Sequence, residues 1–379
     1  MEFLIFFLLR LSVVICGCLI GKKVSIRLHK NYLLCVLPFI IVFALNEGLR
    51  FGRGVDYNNY YYKYNSILEG DTSNRTISDP IFVAICHIND FWGLPYQGLV
   101  FILSLILAVS GIILLKKDKN VLQYAFPLFF LYSLPAENLM RWYLAYSFLL
   151  IAVYYYNNNN LKTALVFAVF AIGSHLAISL IVILLFLIKQ IKRPLFNQYM
   201  SIGIYLFLWL FFSTDMMLGL VGYINNISFL SDYYIGYINN ADVWLTGTGL
   251  GDKAQNFGIG LALPDILTIF LAYKVMQKYP NTIYYCNIFV VGTLLSSALM
   301  RIELGYRIAI VLKLFQCIVL AYAFKDYLFT NKRSEAMMKI VSWIIVLNII
   351  RVYFLMIFTD MGLDEVLYIW DSNGKSVLL

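Results

Sequence analysis

Six arginines stand at or beside the ends of apolar runs: Arg50, Arg53, Arg75, Arg141, Arg301 and Arg307. The opposite ends of those runs are richer in lysine, as in "KKDKN" (116–120), "KQIKRP" (189–194) and "KVMQK" (274–278). Either cation would orient a membrane span. Arginine adds a planar fork that grips phosphate or carboxylate at two points and stays protonated in a low-dielectric site. Forks gathered at one membrane edge predict an anion held at headgroup depth, of the phosphate or diphosphate class.

The densest of these stretches is "LRFGRGVDYNNYYYKY" (49–64). Gly52 and Gly54 allow a tight bend whose N–H groups would sit beside Arg50 and Arg53, a nest for phosphate oxygens. Asp56 would orient an arginine or accept a sugar hydroxyl. The same spacing also suits an interfacial turn whose arginines reach up to headgroups. In "PAENLMRWYLAYSF" (135–148), Glu137 and Arg141 are four apart, the spacing of an ion pair on one helix face.

"AIGSHLAISL" (171–180) interrupts a long apolar stretch with Gly173, Ser174 and His175, which predicts a turn between two short spans. His175 is one of three histidines, and its near-neutral titration would suit a general base. A hydrogen-bonded structural histidine is the alternative. "MRIELGYRIAIVLK" (300–313) carries Arg301, Glu303 and Arg307 at another junction. A Glu303–Arg307 pair would fix one fork and leave Arg301 to a ligand. Lys313, Arg10 and Arg351 fall deeper in apolar runs, where a charge is expected to face protein or a cavity.

These positions need elements to hold them. Twelve apolar runs, near 3–20, 32–45, 96–115, 121–135, 142–156, 161–174, 176–188, 198–219, 259–273, 283–299, 305–324 and 339–358, predict an all-α polytopic membrane protein of about 12 spans. Several fall short of the ~20 residues of a straight crossing. "DPIFVAICHINDFW" (79–92) is too short and polar to cross and predicts a re-entrant or interfacial helix near 80–92, opened by Pro80. With that segment outside, every lysine-rich loop lies on the cytoplasmic side. The arginines, both termini, an external loop at 46–95 and a second at 220–258 then face out. Residues 1–379 form a single integral membrane domain on this reading, with the N-terminal run a retained span rather than a signal peptide.

Composition agrees: 61% of the 379 residues are hydrophobic and 13% charged, far from soluble averages. The net charge of +8 is then mostly orientation signal, and no nucleic-acid partner is expected. Six cysteines without CxxC pairs read as small apolar residues. The 220–258 loop repeats "GYINN" at 222–226 and 236–240. Its Tyr223, Tyr237 and Trp244, with Tyr57 and Tyr60, are the ring types that stack on sugar C–H faces. No external DxD, HExxH or Walker pattern occurs, so no metal or other cofactor is expected, and neither is an ATP-driven pump.

In order, "LRFGRGVDYNNYYYKY", "DP" (79–80), "NLMRWYLAYSFLLIAVYYY" (138–156) and "SHLAISLIVILL" (174–185) resemble EpsG-like polysaccharide polymerases, relatives of the Wzy O-antigen polymerases. The likeness runs over roughly 40–190, with an echo at "RIELGYR". The family segment commonly reads N-x-x-R-Q, and Trp142 stands here at the glutamine position. The resemblance implies a GT-C-like glycosyltransferase of the bacterial inner membrane, acting at the periplasmic face in lipopolysaccharide or other surface-glycan synthesis. It would move a growing glycan from undecaprenyl pyrophosphate onto the non-reducing end of a new lipid-linked repeat unit. Donor, acceptor, bilayer and a chain-length regulator protein would be its partners.

Arg50, Arg53, Arg141, Arg301 and Arg307 would then hold the pyrophosphate, with His175 the first choice for base and Asp56 and Glu137 behind it. Two other readings use similar cations. A lipid-linked oligosaccharide flippase would place them around a mid-bilayer cavity, and an O-antigen ligase would share the donor chemistry.

Overall fold

The computed structural model describes residues 2–26, 31–52, 56–70, 79–211, 259–299 and 303–358. Its regular elements are helices, and each of the twelve apolar runs contains at least one. The chain divides into two compact units, residues 1–190 with 320–329 and 346–379, and residues 191–319 with 330–345.

The first unit opens with α1 (Glu2–Ile26) and α2 (Tyr32–Gly48), followed by α3 (Tyr57–Leu68) and α4 (Pro80–Phe91). Next come α5 (Tyr96–Leu115), α6 (Leu122–Tyr132), α7 (Met140–Asn157), α8 (Leu161–Ser174) and α9 (Ile178–Gln190). Helix α1 lies against α6 because Gly17 and Gly21 clear the way: a Cβ on Gly21 would strike the backbone of Leu122 and Gln123. Small residues let apolar helices approach closely in lipid, where dispersion rather than water exclusion holds them. The Phe39 ring stacks on Phe126 at 5.0 Å, and Phe43 meets Phe130 edge-on at 5.2 Å, which joins α2 to α6.

Helix α4 starts with Pro80 in its first turn, as expected, and its 12 residues extend about 18 Å, well short of a ~30 Å hydrocarbon core. It packs with α3, α5 and α7 around Tyr57, Tyr64, Phe82, Cys86, Tyr96 and Met140. The predicted break at 173–177 is present: α8 ends at Ser174 and α9 begins at Ile178.

The run at 121–135 is not one continuous α-helix. Helix α6 carries Pro127 and stops at Tyr132, and a 3₁₀ turn (Leu134–Glu137) opened by Pro135 leads into α7. Among the described residues, five helical stretches are long and apolar enough to cross a membrane: Leu4–Ile26, Tyr96–Leu115, Pro280–Leu299, Arg307–Tyr327 and Arg333–Phe354. The protein is a membrane-embedded helical protein. Other expected runs, such as 32–45 and 161–174, lie in shorter apolar helices, Tyr32–Gly48 and Leu161–Ser174.

The second unit holds α10 (Gln198–Phe211), α11 (Ile259–Lys278), α12 (Ile283–Leu299) and α13 (Glu303–Lys313). Lys313 Nζ lies 2.7 Å from Asp265 Oδ2, and the buried Tyr205 hydroxyl donates to the same oxygen at 3.1 Å. Lys313 thus faces protein, as a charge in an apolar helix must. Helices α14 (Gln316–Tyr327) and α15 (Ala336–Phe358) complete the chain. All six cysteines are free thiols, with Cys86, Cys286 and Cys317 buried.

Candidate active site

The end of α2 and the chain just after it carry the first polar cluster. "LNEGLRFG" places Asn46, Glu47 and Arg50 within one helical turn of each other, and all three are buried. Gly52 adopts φ +68°, a left-handed conformation open to glycine at little cost, so the expected bend is present. Gly54 and Arg53 lie outside the described residues.

Arg50 is 3% exposed. Its Nη1 donates to the Glu137 carbonyl at 2.6 Å, and its own carbonyl accepts from Gln97 Nε2 at 2.6 Å. Gln97 also donates to the Gly48 carbonyl and accepts from the Tyr57 hydroxyl at 3.0 Å. One amide in the first turn of α5 thereby ties the end of α2 to the start of α3. The Glu137 carboxylate pairs with Arg10 of α1, 127 residues away.

A small cavity of about 20 Å³ lies against this cluster. Arg50, Glu47, Glu137 and Ser133 stand on its polar side, with Leu103 and Leu144 among its apolar lining.

A second cluster sits at the first turn of α7. Arg141 Nη1 pairs with Asp79 Oδ2 at 2.5 Å, and its Cζ lies 5.8 Å from the Tyr60 ring centre. Asp79 precedes α4, and burial pushes its carboxyl above the usual range against the opposing pull of Arg141. Trp142 meets the His175 ring edge-on at 4.9 Å. A Cβ on Gly173 would lie 3.0 Å from Ile81, so the α8–α9 turn also abuts the start of α4. Through these contacts Arg141, Asp79 and His175 share one corner of the first unit.

The expected Glu137–Arg141 pair does not form. Glu137 lies in the 3₁₀ turn and Arg141 in the helix that starts at Met140, so the two do not share the helix face that i,i+4 pairing requires. Tyr57 is 4% exposed, packed edge-on between Phe51 and Tyr96. Its ring is a core surface rather than the sugar platform expected of it. Tyr60 is partly buried beside Arg141.

Asp56 precedes α3 and accepts from Asn59 at 3.2 Å, and its charge acts on Tyr60 of the second cluster. Arg307 lies on α13 in the second unit. Arg301, Tyr223, Tyr237 and Trp244, with the 220–258 loop, lie outside the described residues, as does the side chain of Glu303. Sequence spacing missed Arg10, Asp79 and Gln97 as site residues. Each had a signal in being a polar residue beside or inside an apolar run.

A family model described as EpsG family matches residues 31–368. No curated protein and no solved structure matches the chain.

Proposed function

The chain belongs to the EpsG family, and from that premise we propose that it is a membrane glycosyltransferase that polymerises a surface polysaccharide. The donor is a glycan on undecaprenyl pyrophosphate, the acceptor a new lipid-linked repeat unit, and the site faces the periplasm of a bacterial inner membrane. Both chain termini lie on that side, and a chain-length regulator protein is a further partner. The observation that supports the reading is Arg50, a guanidinium 3% exposed between the end of α2, the first turn of α5 and the Leu134–Glu137 turn. Arginine stays protonated in such a low-dielectric setting, as a group that binds diphosphate must.

In the reaction an acceptor sugar hydroxyl forms a bond to the donor's anomeric carbon, and the bond from that carbon to the diphosphate oxygen breaks. The hydroxyl proton passes to a base, and the bonding electrons leave with the diphosphate. Charge grows on the leaving group, so cations fixed beforehand bind it more strongly in the transition state. Arg50 and Arg141 supply that charge, with Arg53 assigned the same role. His175 is the base, placed beside Trp142 and near Arg141, with Asp56 its alternative. Hydrogen bonds to charged groups contribute ~1.5–3 kcal/mol each, so two forks account for a rate factor on the order of a thousand without a metal.

Cells lacking the protein are the test. Their surface glycan should carry single repeat units where the parent carries long chains. Absence of any attached repeat unit would point instead to transport across the membrane or to ligation, and would overturn the polymerase reading.

A further inference from the structure

Helix α4 is apolar on two opposite sides. Phe82, Ile85 and Cys86 pack against α3, α5 and α7, and Asn89 continues that buried stripe. The other side carries Ala84, His87, Ile88 and Phe91, all exposed. Phe91 is 86% exposed and Trp92, just after the helix, 62%. The adjoining α3 differs, since its exposed residues are Asn58, Asn59 and Tyr62. A helix apolar all round needs apolar cover on every side, and protein covers only one side of α4.

Both ends of α4 are tied to one level. At its start, Asp79 pairs with Arg141 in the first turn of α7. At its end, Gly93 turns the chain at φ +64° and α5 begins at Tyr96. The Tyr96 hydroxyl donates to Met140 Sδ at 3.6 Å, so α5 and α7 start side by side. The 20 residues of α5 extend about 30 Å, the thickness of a hydrocarbon core. Its first turn therefore marks a leaflet boundary, and α4 lies along that boundary rather than dipping through it. The tip is fixed in place: Asn89 Nδ2 donates to the Tyr64 hydroxyl at 3.0 Å and to the Leu94 and Pro95 carbonyls at 2.9 and 3.0 Å.

We propose that α4 is seated in lipid: Ala84, Ile88 and Phe91, with the Trp92–Leu94 tip, rest in the leaflet at which α5 and α7 begin. Aromatic rings concentrate at this depth, and helices lying in the interface bury such a face among headgroups and acyl chains. A sugar platform would set amides or carboxylates beside the ring, whereas Phe91 has Ile88 and His87 behind it on the exposed side, with Ala84 a turn further back. Lipid contact along α4 also sets the depth of the Asp79–Arg141 pair, which keeps that guanidinium in the layer where lipid phosphates lie.

The test uses the full chain in phosphatidylcholine–phosphatidylglycerol vesicles, with its six cysteines replaced by alanine and thermal unfolding as the control. Nitroxide labels are attached at Ile88→Cys and Phe91→Cys, with Asn58→Cys on α3 as the water-facing reference. At 88 and 91 the label should collide with oxygen and lose its collisions with a water-soluble nickel chelate, whereas at 58 the chelate should collide freely. Chelate reaching 88 and 91 as readily as 58 would put this side in water, as a sugar platform requires, and would overturn the proposal. Loss of collisions with both oxygen and chelate would mean protein cover and overturn it equally.

If the cysteine-free chain does not fold, Trp92→Phe in the native chain gives a second readout. The fluorescence lost with Trp92, taken as parent minus variant, should be quenched by brominated lipids. A difference spectrum that brominated lipids leave unquenched would contradict the lipid seat. Neither readout involves sugar transfer, so the polymerase reading and the lipid seat fail separately.

Discussion

At Arg141 one guanidinium is shared between a carboxylate and a ring. It pairs with Asp79 at 2.5 Å and lies beside Tyr60, a geometry that uses the plane of the group as well as its charge. A lysine would keep the charge and lose the fork. Arg141→Lys should therefore slow polymer formation about tenfold or more, with little change in thermal midpoint. Parental rates in vesicles supplied with a lipid-linked repeat unit would show that charge alone suffices there. These roles were only half legible in the chain. Spacing reveals neighbours three or four residues apart, which is why Glu137 was matched to Arg141. The partners actually taken, Asp79 for Arg141 and Arg10 for Glu137, lie 62 and 127 positions away and follow from helix packing that no local pattern encodes.

Elements were easier to read where a single residue fixes an end. Pro80 in the first turn of α4 and the Gly173–His175 interruption both lie where helices start or stop. The division of 121–135 was harder, because Pro127 is tolerated inside α6 while the helix still ends at Tyr132. The lysine-rich link between α5 and α6 held another surprise. Asp118 there is 5% exposed and accepts from the Tyr322 hydroxyl of α14 at 2.6 Å. Burial raises its carboxyl to about 6, whereas the unfolded group titrates near 3.9. Between those values the native state holds more protons, so this group's contribution to stability falls as pH rises through the window. Asp118→Asn removes the titration. At pH 7.5 the variant should be more stable than the parent by roughly 1–3 kcal/mol, and the advantage should vanish near pH 4. A variant less stable than the parent at pH 7.5, measured by thermal unfolding in detergent, would contradict this.

Across the whole molecule, composition alone identified a helical membrane protein, and the family match over residues 31–368 agrees with a likeness first visible between 40 and 190. The first unit contains both polar clusters, one beside the small cavity and one at the α4–α7–α8 corner. The central claim is that guanidinium groups, rather than a metal, carry the departing diphosphate. The most direct measurement is the rate of chain growth by purified protein in vesicles containing a lipid-linked repeat unit and a metal chelator. The parent should polymerise under those conditions, and Arg50→Lys should lower kcat/KM about tenfold or more while unfolding at the parental temperature. A parent silenced by chelator, or an Arg50→Lys protein as fast as the parent, would contradict the account.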